Sequence, residues 1–246
     1  MATKQEELKP IIQGQESTVR TLVIDTVDRA YPLCQDYVCK KLGISHPSEM
    51  EYGKGWGSVR AEWERVIQKL NLMGFALILT AHETDKKIKS KKVEIDVKYP
   101  DLPKTGLDIV TDLADIVAHY SFRDDDSRGL FCTPCSERYA KWRGPRGVVP
   151  PACIEVTNDG KTFQRIDETL KRLNGKTFAE SRPTIVIYGT AGIGKSTLAA
   201  EFPNATFADF ENGLKWLNIP NKEVIRSWEE FLAFCLKLST NNNGVK

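Results

Sequence analysis

Four short, nearly unbroken apolar runs mark the chain, at 21–25, 75–80, 184–188 and 205–209. Each is too short for a helix and lacks the alternation of a half-exposed strand. They predict strands buried on both faces. Between them the apolar positions recur at helical spacing. Residues 29–42 read as a helix. Val59, Trp63, Val66, Ile67 and Leu70 form one stripe, with Arg60, Glu62, Glu64 and Lys69 outside it. Further helices are predicted at 107–115, at 163–173, and from about 195. Trp228, Phe231, Leu232, Cys235 and Leu238 mark one face of a last helix. Strands at 116–122, 128–133 and 137–142 read as antiparallel. Residues 43–57 read as a Gly/Pro/Ser-bearing loop, and 84–106 as a Lys-rich segment without a core pattern. The polar residues 1–20 are a leader or linker and 240–246 a tail, leaving 21–239 as one domain. Strands alternating with helices give an α/β fold with a mainly parallel sheet.

Composition narrows the function little. The 246 residues carry 35 Lys+Arg against 33 Asp+Glu, a net charge of +2, which excludes a polycation. A nucleic-acid surface, if present, is local. No apolar run is long enough to span a bilayer and the first residues do not form a secretory signal, so a cytoplasmic protein is expected. Six cysteines in a chain of this length do not make a disulfide scaffold. Cys132 and Cys135 form a single CxxC, where a zinc ribbon needs two. The expected state is reduced thiols packed as small hydrophobes.

The strongest chemical signal follows the run at 184–188. Gly189, Thr190, Ala191, Gly192, Ile193, Gly194, Lys195 and Ser196 satisfy G-x-x-x-x-G-K-[ST]. In such a loop glycines let successive backbone N–H groups point at phosphate oxygens. Lys195 reaches the β- and γ-phosphates, Ser196 ligates Mg²⁺, and Thr197 supports the helix start. The motif has a buried strand before it and a helix-compatible segment after it, as phosphate binding requires. Asp25 ends the 21–25 strand and is the candidate carboxylate that holds Mg²⁺ through water. Glu211, just beyond the 205–209 strand, is the candidate for orienting an attacking water. His82, after the 75–80 strand, is placed to sense a γ-phosphate by donating a hydrogen bond.

These segments resemble the RecA-like ATPases, particularly the minimal phage-encoded proteins of single-strand annealing and recombination. Residues 207–214 resemble the family's strand with the catalytic glutamate, 21–26 its Walker B strand, and 79–83 the strand whose terminal polar residue couples nucleotide to DNA. The resemblance covers most of 21–239. It implies a RecA-like P-loop core, ATP and Mg²⁺ as cofactors, single-stranded DNA as partner and head-to-tail homo-oligomers. Walker A normally precedes Walker B, and here the order is reversed. Reading from 177 to 239 and then from 21 to 173 restores it, so the chain resembles a circular permutation of that family. In restored order the Lys-rich segment, with Lys86, Lys87, Lys89, Lys91 and Lys92, falls where the family carries a mobile DNA-binding loop. Tyr52, Lys54 and Trp56 fall at the first DNA loop. Lys141 or Arg143 falls near the strand whose basic residue enters a neighbouring subunit's nucleotide site.

Two other function classes fit a P-loop: a nucleotide or small-molecule kinase, and a non-hydrolysing nucleotide-dependent binding module. Phosphate release with DNA and no small acceptor separates the ATPase from the kinase. DNA binding that survives Lys195→Ala without measurable turnover separates off the third. The sequence leaves ATP against GTP open, with ATP as the default.

Overall fold

A computed structural model describes residues 21–90, 93–145 and 147–242, with backbone alone at 89, 90, 93 and 240–242. The expected leader at 1–20 and the end of the tail, 243–246, lie outside these residues. Six parallel strands form the centre of one sheet, in the order β10 (Lys222–Val224), β9 (Ala205–Asp209), β1 (Thr21–Asp25), β2 (Ala76–Ser90), β8 (Thr184–Gly189) and β4 (Ile116–Phe122). Beyond β4 the sheet continues antiparallel through β5 (Arg128–Phe131) and β7 (Ile154–Val156), and β6 (Lys141–Trp142) also pairs with β4. This is the α/β architecture expected of a RecA-like P-loop core. The short β7 and β10 were not legible as apolar runs.

Alternate residues of the central strands enter two cores. Leu22, Ile24, Leu77, Leu79, Val186 and Tyr188 face one side; Val23, Ile78, Ile185 and Ile187 face the other. The first side is covered by α1 (Val27–Leu42), α2 (Lys54–Leu72), α3 (Lys104–Leu113) and α7 (Trp228–Asn242). The second is covered by α4 (Thr162–Asn174), α5 (Phe178–Ser181) and α6 (Lys195–Ala199). The 59–70 stripe is the buried face of α2. Trp63, fully buried, stands edge-on to Tyr31 at 5.2 Å and 5.6 Å from Trp228. Burying one such side chain stabilises the fold by about 1.5–3 kcal/mol. Four of the six cysteines (Cys34, Cys39, Cys132 and Cys235) are buried free thiols, as expected, whereas Cys135 is exposed.

Two expected loops are regular structure. Residues 84–90 and 93–100 are strand: β2 runs unbroken past the sheet edge and pairs antiparallel with β3 (Val93–Pro100) as a ribbon. The charges masked the alternation of Ile95, Val97 and Tyr99. The register sets Asp85 opposite Lys98, Lys87 opposite Asp96 and Lys89 opposite Glu94, and Lys98 Nζ meets Asp85 Oδ1 at 3.0 Å across the two strands. The ribbon root is fastened to the sheet. Glu83 meets His119 Nε2 at 2.7 Å and Lys98 Nζ at 3.3 Å, and the Tyr188 hydroxyl donates to the Lys98 carbonyl at 3.0 Å. The 43–57 loop is also shorter than expected, because α2 starts at Lys54. Trp56 therefore sits in the first helical turn, edge-on to His46 at 5.4 Å.

Candidate functional site

β1, β8 and β9 present their carboxyl ends at one edge of the sheet, where β2 passes out into the ribbon at His82. Polar residues that end apolar runs far apart in sequence therefore meet there. Ser196 Oγ donates to Asp25 Oδ2 at 2.7 Å across 171 residues of chain. The Thr80 hydroxyl approaches Asp25 Oδ1 at 2.5 Å and the Ile24 carbonyl at 3.2 Å. Asp25 is buried, and burial foremost pushes its carboxyl above the usual range. The Thr80 and Ser196 hydrogen bonds oppose the shift; Asp209 and Glu211 add to it.

The glycine-rich turn leaves β8 at Gly189, where a Cβ would collide with the Tyr120 carbonyl. Gly194 has φ +105°, open to glycine and strained for other residues. Ile193 is buried in the second core and anchors the turn from below, so this residue serves the loop through its backbone. Thr190, Ala191 and Thr197 are exposed. Lys195 Nζ donates to the carbonyls of Gly189 at 3.0 Å and Thr190 at 2.9 Å. Burial lowers the Lys195 pKa, opposed by the carboxylates of Asp25, Asp28, Glu211 and Glu83. Gly189→Ala is expected to cost about 1–3 kcal/mol, the usual penalty of an overpacked site. Denaturant melts measure it, and an unchanged midpoint is the contrary result.

Glu211 is set by Asp209, whose side chain the sequence reading passed over. The buried Asp209 carboxylate accepts from the backbone N–H of Glu211 (3.1 Å), Gly213 (3.3 Å) and Leu214 (3.2 Å) and so shapes the turn beyond β9. Glu211 Oε1 in turn lies 3.3 Å from Thr26 Oγ1, 3.3 Å from Arg29 Nε and 3.5 Å from His82 Nδ1. Asp28, in the first turn of α1, was also passed over. It accepts from the His82 backbone N–H at 3.0 Å and contacts His82 Nδ1 at 2.9 Å. Lys195, Ser196, Asp25, His82 and Glu211 line one cleft of about 230 Å³, together with Thr26, Gly192, Gly194, Thr197 and Leu217. The cleft fits a polyphosphate with a divalent cation. Among the described residues its buried ammonium has only carbonyl partners, and its hydroxyl–carboxylate pair offers two hard oxygen ligands. Lys195 would hold phosphate, and Ser196 and Asp25 the cation, which would screen phosphate charge.

Those of the expected DNA-binding and intersubunit residues that are described lie apart from this cleft. Lys86 is half-buried on the ribbon, its amine 5.2 Å from the Tyr99 ring centroid and 3.5 Å from the Leu102 carbonyl. Lys87 is exposed. The Lys89 side chain and all of Lys91 and Lys92 lie outside the described residues. Tyr52 is 93% exposed with φ 56°, and the exposed Lys54 opens α2. Lys141 and Arg143, expected to reach a neighbour's nucleotide, are engaged within the chain. Lys141 Nζ donates to the carbonyls of Thr111 (2.5 Å) and Asp112 (3.3 Å), and Arg143 to Asp112 (2.5 Å), closing the end of α3. Val117 pairs with both Lys141 and Val186, so both basic residues lie toward the sheet edge away from the glycine-rich turn.

With this geometry in place, comparison with known families gives one assignment. A family model described as an AAA domain matches residues 3–144 and 181–246. The chain belongs to this family, whose members are P-loop ATPase-like proteins. No curated protein and no solved structure gives a match. Among the described residues no helix is long and apolar enough to cross a membrane.

Proposed function

We propose that this chain is a Mg²⁺-dependent ATPase of RecA-like type, circularly permuted, that binds single-stranded DNA in phage-type recombination or annealing. The observation that carries the reading is the 2.7 Å contact between Ser196 Oγ and Asp25 Oδ2, in a cleft also lined by Lys195, His82 and Glu211. A hydroxyl at the helix start beside a buried carboxylate, here on the strand one removed from the P-loop strand, is what magnesium-triphosphate binding requires. Lys195 neutralises phosphate charge. Glu211, held by the Asp209 turn, orients water at the far end of the cleft. The permuted reading draws support from the sheet, where the P-loop strand β8, late in the chain, lies between β2 and β4.

The ribbon supports the DNA partner: β2 carries His82 at the cleft and then Lys86, Lys87 and Lys89 beyond it. Head-to-tail assembly belongs to the same reading and rests on the family resemblance alone. The test is ATP hydrolysis with and without single-stranded DNA at low and high salt. Stimulation by DNA is expected, weakening as salt rises. Lys86→Glu with Lys87→Glu is expected to reduce the stimulation while leaving DNA-free turnover unchanged. No stimulation at either salt concentration overturns the recombination reading, and transfer of phosphate to a small acceptor in place of water overturns the hydrolase.

A further inference from the structure

Asp28 grips His82 at two points. Its Oδ1 accepts from the His82 backbone N–H at 3.0 Å, and its Oδ2 lies 2.9 Å from the ring Nδ1. The second neighbour of Nδ1 is also a carboxylate oxygen, Glu211 Oε1 at 3.5 Å. An ionised carboxylate accepts and does not donate, so the proton resides on Nδ1. In the neutral ring the lone pair is then on Nε2, which has no protein partner among the described residues. The ring lines the same cleft as Lys195 and Ser196. Asp28 itself is only 8% exposed and takes no part in lining that cleft.

We propose that Asp28 is a positioning residue that fixes His82 as the Nδ1–H tautomer, so that Nε2 accepts from the attacking water. This inference rests on the ATPase reading and changes the part given to His82 within it. A neutral ring protonated on Nδ1 cannot donate from Nε2 to a phosphate oxygen, so the group it addresses is water. In the step concerned the water oxygen bonds to the γ-phosphorus while the bond from that phosphorus to the β–γ bridging oxygen breaks. ADP and inorganic phosphate result. The water's proton passes to Nε2, and the imidazolium, held by two carboxylates, returns a proton to solvent. Glu211 Oε1, 3.5 Å from Nδ1, shares the protonated edge of the ring with Asp28 and stabilises the imidazolium as it forms.

Asp28→Asn tests this without altering shape. The amide oxygen keeps the bond to the His82 backbone N–H, and the NH₂ then faces Nδ1 and donates to it, which moves the ring proton to Nε2. The chain has three histidines, so long-range proton–nitrogen NMR of the ¹⁵N-labelled full chain in mildly alkaline buffer resolves the ring, assigned by its loss in His82→Gln. The expected wild-type spectrum has a protonated Nδ1 and a bare Nε2, and Asp28→Asn inverts it. The same variant is expected to lower kcat on the order of 10²-fold with KM for ATP nearly unchanged. A wild-type His82 protonated on Nε2 overturns the inference, as does full kcat in Asp28→Asn. If that variant does not fold, the wild-type spectrum alone decides. Absence of turnover in the wild-type chain overturns the ATPase reading and the water step with it. Turnover in a wild-type chain with the wrong tautomer removes only this inference.

Discussion

Replacing Lys195 by alanine is expected to reduce nucleotide hydrolysis on the order of 10³-fold. The ammonium is buried and, among the described residues, bonded only to the Gly189 and Thr190 carbonyls. It is the one cation lining the cleft among the described residues, where three carboxyl-bearing or acid-binding side chains (Asp25, Glu211 and His82) also face inward. In a site partly closed to water such a charge stabilises the developing phosphate negative charge far more than it would in bulk solvent. Lysine is also a compact charge on a long stem, so alanine leaves a gap that water fills without restoring the charge. Steady-state phosphate release measures the loss. The fold is expected to survive, since the turn is anchored by Ile193 and not by Lys195. Residual turnover within about tenfold of wild type would remove Lys195 from the machinery.

Asp25→Asn is expected to act in opposite directions on activity and on stability. Activity falls at least on the order of 10²-fold, because the amide is a poor ligand for a hard cation and leaves Ser196 to hold it alone. Stability without magnesium rises. Burial holds the Asp25 carboxyl above its ordinary range, so the folded chain binds that proton more tightly than the unfolded chain does. The sign follows from linkage. Below the ordinary carboxylate range both states are protonated and nothing is lost. As pH rises through that range toward the folded value the folded state is progressively penalised, and the penalty persists to neutral pH. Asparagine removes the titration. Thr80 can still donate, and the Ser196 hydroxyl can rotate to accept from the amide. In metal-free buffer the variant is expected to melt about 2–4 °C above wild type at neutral pH for each kcal/mol removed, with the gap closing under acid. A variant that melts lower at neutral pH and higher in acid is the contrary result.

The central strands were legible because burial on both faces demands unbroken apolar runs, and the phosphate loop because backbone geometry demands glycine at fixed offsets. The convergence of Asp25, His82 and Glu211 was legible for a related reason: each ends or follows such a run, and parallel strands gather those ends at one edge. What sequence concealed depends on partners far away in the chain. The ribbon at 84–100 reads as a charged loop until the register shows Lys87 facing Asp96 and Lys89 facing Glu94. Asp28 reads as a first-turn helix acid, and Asp209 as a strand end. Their work, gripping His82 and shaping the Glu211 turn, exists only once α1 meets β2 and β9 curls back on itself. Lys141 and Arg143 show the same dependence: the sequence shows a basic cluster, and only the fold shows α3 ending beneath them with carbonyls that they meet.

β2 runs without interruption from Ala76 in the sheet to Ser90 in the ribbon, with His82 partway along it. The ribbon is thus a stiff lever whose fulcrum is the histidine peptide, and no slack loop lies between its arm and the phosphate cleft. A tilt of the ribbon would be carried along this one strand to the backbone N–H that Asp28 grips, the histidine's own anchor.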